Sequence, residues 1–261
     1  MDKNQKGLQN QVKISYKNRS QIEAMKKAGR LARRVLDAIG EETQVGTTPK
    51  QLDTLARRLI HEAGARSPFL GHHGYPATIT VSVNEAVVHG IPNNVPLKNG
   101  DLASLDVGTI LGGWVGDNAH TYGVGEVSAR AARLMRITEE ALYIGINAAK
   151  VGNRTGDIGW AIQDYCETHG YGVVVPLCGH GVGRSMWEDP QVPNYGKRGQ
   201  GTLLKPGMTI AIEPMINEGT ADVRQLADKW TYVTADGKLS AHYEHTVAIT
   251  SDGPEILTLR D

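Results

Sequence analysis

The sequence predicts an α+β fold with a pseudo-twofold plan. Three observations lead there. Two helical patterns are followed by strand-like runs, and that order then repeats. The two halves are of similar length. The strands are grouped apart from the helix pairs, which argues against a doubly wound βαβ arrangement. No convincing sequence repeat accompanies the pattern, and no composition break marks a flexible linker. One domain over residues 13–261 is therefore expected, behind a polar tail at residues 1–12.

Taken in order, residues 13–16 read as a short strand or extended lead-in. In the first helix, Ser20 and Glu23 have capping-box spacing. Ile22, Met25, Leu31, Val35, Leu36 and Ile39 recur with helical period, and Gly40 is expected to stop the run. Thr48-Pro49 with Gln51 opens a second helix, whose apolar stripe is Leu52, Leu55, Leu59 and Ile60 and which ends at Gly64. A loop, GHHGYP, spans residues 71–76, and residues 77–83 alternate like a strand. The stretch 84–92 closes on a proline and so on a turn. Residues 102–111 and 114–122 form two strands around Gly112-Gly113, a hairpin signal.

Ser128 opens a third helix reaching about residue 150, with Leu134, Ile137, Leu142 and Ile146 inward. Asp157 opens a fourth, which ends at Gly170. Strands are expected at 173–175, 208–212, 230–233, 243–249 and 255–259. Residues 187–204, rich in Gly, Pro and charge, read as a loop.

Composition narrows the function classes. The 261 residues are 40% hydrophobic, ordinary for a globular protein. Lys+Arg 28 equals Asp+Glu 28, which gives no support for nucleic acid or an anionic membrane as a main partner. No apolar run reaches the roughly 18 residues of a membrane span, and the polar N-terminus lacks a signal-peptide core. Two cysteines, Cys166 and Cys178, form no disulfide framework, so a reducing compartment and the cytoplasm are expected.

The chemistry starts in the hairpin. Asp106 and Asp117 each sit inside an apolar strand. A buried carboxylate is costly without a partner, and two on adjacent strands repel. A divalent metal between them is the simplest remedy; two solvated surface aspartates are the alternative. His89 stands in the turn NEAVVHGIP, where a lone histidine is more often structural. Three further candidates lie in the second half: His180 in CGHGVG, Glu213 at the end of the apolar run MTIAIEPM, and Glu244 at the start of another. Each alone has an ordinary reading, a satisfied core histidine or an exposed strand-end glutamate. Together they make four carboxylates and one imidazole. That set suits two hard or borderline divalent ions sharing a bridging carboxylate and a water.

These segments also resemble a family. SVNEAVVHGIP at 82–92, LDVG and GDNA across 105–119, GHGVGR at 179–184, IEPM at 212–215 and SAHYEHT at 240–246 stand in the order and at the separations of the type I methionine aminopeptidases of the pita-bread fold. The resemblance covers roughly residues 13–260. It implies a pseudo-twofold antiparallel sheet backed by two helix pairs, with a dinuclear metal site in the central cleft. It implies hydrolysis of N-terminal methionine from peptides and nascent proteins with small second residues. Asp106 then resembles the bidentate ligand of one metal, Asp117 and Glu244 the bridges, and His180 and Glu213 the ligands of the other. Glu213 also resembles the general base, which takes a proton from metal-bound water. His89 resembles a histidine near the scissile amide, and Tyr75 and Trp230 resemble walls of the first-residue pocket. Cobalt, manganese, iron or zinc all suit such a site. A monomer, meeting nascent chains at the ribosome, is expected.

The chain departs from the family pattern around the substrate. The family usually has a second histidine where Trp187 stands, in Met186-Trp187-Glu188-Asp189-Pro190. An indole donates one hydrogen bond and cannot accept or shuttle a proton. Phe69, His72, Thr80 and Met186 fall where typical bacterial members often show other residues, and Asn118-Ala119 replaces a common Thr-Ser pair. Two alternatives follow: an aminopeptidase or imidodipeptidase of altered specificity, and a non-catalytic binding protein on the same fold.

Overall fold

The structure is a computed structural model, and it describes residues 13–260. The expected tail at residues 1–12 lies outside the described residues. Four helices form where the local signals place them. α1 (Arg19–Glu41) is capped by Asn18, whose side chain accepts from the Gln21 N–H at 3.0 Å while the Gln21 side chain accepts from the Asn18 N–H at 2.9 Å. The box therefore starts two residues before the Ser20–Glu23 pair, because Asn18 is a good cap and Gln21 supplies the reciprocal acceptor. Gly40 does not stop the helix. It lies inside α1, where a Cβ would stand 2.3–2.5 Å from the Tyr122 ring, so the residue serves close packing.

α2 (Pro49–Glu62) has the predicted Thr48–Gln51 box with Pro49 at the first turn. α3 (Ala129–Ala148) follows the Ser128 cap. α4 (Thr155–Thr168) begins two residues before Asp157, whose Oδ2 accepts from the Arg154 N–H at 2.7 Å. Asp157 closes the first turn from inside instead of opening it.

The strands in chain order are β1 (Thr80–Val83), β2 (Ala86–Val88), β3 (Leu102–Leu111), β4 (Trp114–Gly123), β5 (Gly172–Val173), β6 (Gly179–Gly181) and β7 (Glu188–Val192). They continue with β8 (Thr209–Ile212), β9 (Met215–Asn217), β10 (Val223–Gln225), β11 (Tyr232–Thr234), β12 (Ser240–His242), β13 (Glu244–Thr250) and β14 (Gly253–Ile256). The hairpin reading holds: β3 and β4 pair from Leu102↔Gly123 to Leu111↔Trp114, with Gly112 and Gly113 at φ 57° and 74°, the left-handed values a two-residue turn requires. The expected loop at 187–204 is corrected, since its first residues form β7. β6, β9, β10 and β12 are three residues each, too short to show alternation in sequence.

The main sheet runs β1-β3-β4-β13-β8-β6-β7, with β14 on β13 and antiparallel pairing throughout. Both helix pairs bury apolar faces against it. Leu31, Leu36, Ile39, Leu52 and Ile60 of α1 and α2 share one core with Ala103, Leu105 and Val107 of β3. Leu134, Ile137, Leu142, Ile158 and Ile162 of α3 and α4 share another with Ile210, Ile212, Val247 and Ile249. This is the predicted plan of two helix pairs backing one antiparallel sheet. The halves meet where β13 joins β4, through Glu244↔Ala119 and His245↔Asn118.

Candidate active site

Strand alternation decides which side chains face away from the helices. In β3, Ala103, Leu105 and Val107 enter the core under α1 and α2, so Asp106 points to the opposite face. In β4, Tyr122 reaches back to the Leu36 carbonyl at 3.2 Å, which leaves Asp117 and Ala119 on the face of Asp106. Glu244 opens β13 opposite Ala119. Glu213 follows the last residue of β8, and His180 is the middle residue of β6. Five neighbouring strands, β3, β4, β13, β8 and β6, thus each present one of the five predicted ligands.

These five converge. Donor atoms of Asp117, His180 and Glu244 lie within 4.8 Å of one another. His180 Nε2 stands 3.6 Å from both Asp117 Oδ2 and Glu213 Oε1. All five line one cavity of about 450 Å³ together with His89, Phe69, Cys178, Met186 and Trp187. Among the described residues no lysine or arginine lines it.

Burial pushes the Asp106, Glu213 and Glu244 carboxyls well above their usual range, and the neighbouring charge of Asp117 pushes all three further. Burial also raises Asp117, to about 7, against hydrogen bonds that hold it down. His180 is lowered, chiefly by burial, and is neutral. Its Nδ1 lies 2.9 Å from the Gly181 carbonyl, which can only accept, so Nδ1 carries the proton and the Nε2 lone pair faces the carboxylates.

The donors fit a divalent cation. Asp106 Oδ1, Asp117 Oδ1 and Glu244 Oε1 are buried and have no hydrogen-bond partner among the described residues. Clustered acceptors without a donor are costly unless a cation joins them. Carboxylate oxygens with one imidazole suit hard to borderline divalent ions.

A pH prediction follows from the raised carboxyls. A group whose folded pKa is raised adds stability below its unfolded pKa and loses it as pH rises through the folded value. Burial lowers His89 and His120 to about 4 and His242 and His245 to about 3, so these act only below their ordinary value near 6.5. Between pH 6.5 and 8 the carboxyl cluster is left to dominate. The metal-free protein should melt at lower temperature at pH 8 than at pH 6.5, and added Mn should raise the melting temperature more at pH 8. Calorimetric melts with and without chelator check this; a flat metal-free profile would contradict it.

The predicted substrate residues divide between two adjoining cavities. Tyr75, Thr80 and Trp230, with His72 and His73, line a second, mainly apolar pocket of about 280 Å³. Phe69, His89 and Trp187 line both cavities. Tyr75 is pinned by its hydroxyl, 2.9 Å from the Gly90 carbonyl and 3.2 Å from that of Ile79, and packs edge-on against Trp230. His89 holds a left-handed backbone, φ 59°, and burial keeps its ring neutral.

Two features went beyond the sequence reading. His242 Nε2 is buried, unpartnered among the described residues, and 3.7 Å from Glu213 Oε2. Its signal was present in SAHYEHT: two residues before Glu244 on an extended chain, it shares that residue's face. Asn118, in turn, fastens the seam. Its Nδ2 donates to the Glu244 carbonyl and lies 3.0 Å from His245 Nδ1, while Thr246 Oγ1 bonds both the N–H and the carbonyl of Asp117, at 3.1 and 2.9 Å.

Comparison with known proteins agrees with this geometry. The model of metallopeptidase family M24 matches residues 23–251. The chain is 49% identical to the methionine aminopeptidase of Clostridium perfringens over 246 residues, 94% of this chain and 99% of that protein. It is 46% identical to methionine aminopeptidase 1 of Bacillus subtilis over 245 residues, 94% of this chain and 99% of that protein. The crystal structure of methionine aminopeptidase from Rickettsia prowazekii superimposes with a TM-score of 0.93 at 42% identity, covering 95% of this chain and all of that one.

Proposed function

The chain belongs to metallopeptidase family M24, with the pita-bread fold of that family, and from that premise we infer that it is a metal-dependent aminopeptidase removing N-terminal methionine. The observation that carries the reading is the pairing of a five-residue ligand cluster with an adjoining aromatic pocket of side-chain size. We assign Asp106, Asp117, His180, Glu213 and Glu244 to two divalent ions, drawn from cobalt, manganese, iron or zinc. Bound there, the ions supply Lewis acidity at neutral pH.

This chain's own residues do the rest. The aromatic pocket takes the first side chain, where a thioether gains favourable contacts with ring edges. The carboxylate-rich end faces the free α-amine, which selects for a chain terminus. Glu213 takes a proton from the attacking water and returns it to the leaving amide nitrogen, a role suited to a carboxyl raised towards neutrality. His89 and the unpartnered His242 stand beside the reacting amide, both neutral and able to donate or accept one hydrogen bond.

Small second residues are the proposed preference, and peptide and nascent-protein N-termini are the proposed partners. A monomer acting at the ribosome, in the cytoplasm, completes the reading. Two free cysteines, one buried and one partly so, are consistent with a reducing compartment, and no helix among the described residues is long and apolar enough to cross a membrane.

The test is methionine release from a Met-Gly/Ala/Ser peptide series with Co, Mn, Fe or Zn added to metal-free protein. Metal-dependent turnover confined to small second residues is expected. Metal-loaded protein that leaves every peptide intact would refute the reading.

A further inference from the structure

We propose that Trp187 is the specificity-determining wall of the first-side-chain pocket, held shut by its ring stack on His72. The proposal deepens the aminopeptidase reading and rests on it. Three residues stand between the carboxylate cavity and the aromatic pocket, and two of them are fixed. Phe69 is buried at 6% exposure, and His89 is held by its left-handed backbone. Trp187 is different: 42% of it is exposed.

The backbone beneath it is anchored. Met186 is buried, and the Glu188 carboxylate is 2.7 Å from Lys17 Nζ and 2.8 Å from the Arg184 N–H. The exposed part of the residue is its ring. Its nearest ring is the imidazole of His72, 4.0 Å away between centroids with planes 30° apart, with His180 at 6.3 Å and Phe69 at 6.5 Å. Such a stack is a weak contact, enough to set a resting position and weak enough to yield to a ligand.

The indole is one wall of the mainly apolar pocket of about 280 Å³, which it shares with Phe69, Tyr75 and Trp230. An unbranched, flexible thioether adapts to those walls, while a rigid phenyl ring needs the space that the indole takes. Removing the indole opens the pocket of about 280 Å³ into the cavity of about 450 Å³. His72 is a positioning residue, acting through Trp187.

The experiment compares the full-length wild type, Trp187→Ala, Trp187→Phe and His72→Ala. Peptides Met-Ala-Ser and Phe-Ala-Ser give the ratio of kcat/KM. Binding of free L-methionine and L-phenylalanine, by calorimetry on the metal-loaded protein, gives a ratio that needs no turnover. Trp187→Ala should lower the Met-over-Phe preference at least about tenfold in both ratios, the lower end of what one methylene-sized contact discriminates. Trp187→Phe, which keeps a ring, should stay within a few-fold of wild type. His72→Ala should fall between.

Unchanged ratios in Trp187→Ala, in a wild type that releases methionine, overturn the wall and leave the activity standing. An unchanged ratio in His72→Ala overturns the part given to His72. A wild type that cleaves nothing, while the amino-acid binding ratios shift with Trp187→Ala, sinks the aminopeptidase reading and keeps the wall. Because Trp187 is exposed, its replacement is expected to leave the fold intact, and melting curves check that.

Discussion

Asp117→Asn is expected to lower methionine release by orders of magnitude and to weaken divalent metal binding, while making the metal-free protein more stable at pH 8. The three effects share one cause. Asp117 is buried at 2% exposure, lies 3.6 Å from His180 Nε2, and sits within reach of Asp106 and Glu244. In the absence of a cation its ionised form is penalised by burial, and its charge raises the pKa of Asp106, Glu213 and Glu244. Asparagine keeps the shape and removes the charge, so like-charge repulsion falls in the metal-free state. The same change removes the central anion of the cluster, so the ions lose their shared partner. Calorimetric titration with Mn, melting at pH 8 and peptide turnover read the three effects separately. A variant that binds metal and turns over as wild type does would refute the bridging role given to Asp117.

The second large effect is Glu213→Gln. Here turnover should fall roughly 10²- to 10⁴-fold, the usual contribution of a positioned general base. Glu213 stands between two imidazoles, 3.6 Å from His180 Nε2 and 3.7 Å from His242 Nε2. A glutamine there retains an oxygen that can face a cation, but it cannot take a proton. The pair of measurements is therefore metal affinity and kcat. A moderate loss of affinity with a much larger loss of kcat supports the proton-transfer role. A fall in kcat fully restored by saturating metal would reduce Glu213 to a ligand.

Much of the fold and most of the candidate site were legible because their signals are local. Thr48-Pro49 with Gln51, the Ser128 cap and Gly112-Gly113 between apolar runs are decided by residues a few positions apart. Asp106 and Asp117 stood out because a carboxylate inside an apolar strand contradicts its surroundings, and only a long-range partner resolves the contradiction. The sequence reading failed where the deciding contact is distant or the element is short. Gly40 looks like a helix stop until Tyr122, 82 residues away in the chain (122 minus 40), is packed over it. β12 has three residues, so the face of His242 shows only by counting two positions back from Glu244. Trp187 was legible as unusual, but its stacking on His72 belongs to the tertiary structure alone.

The arrangement of one ligand on each of five neighbouring strands has a genetic meaning as well. Asp106 and Asp117 come from the first half of the chain, and His180, Glu213 and Glu244 come from the second. Neither half contains a complete set. The candidate centre thus draws on both halves of a single polypeptide, joined along the Glu244↔Ala119 and His245↔Asn118 seam. On the proposed assignment a truncation product of either half lacks part of the set and is expected to release no methionine.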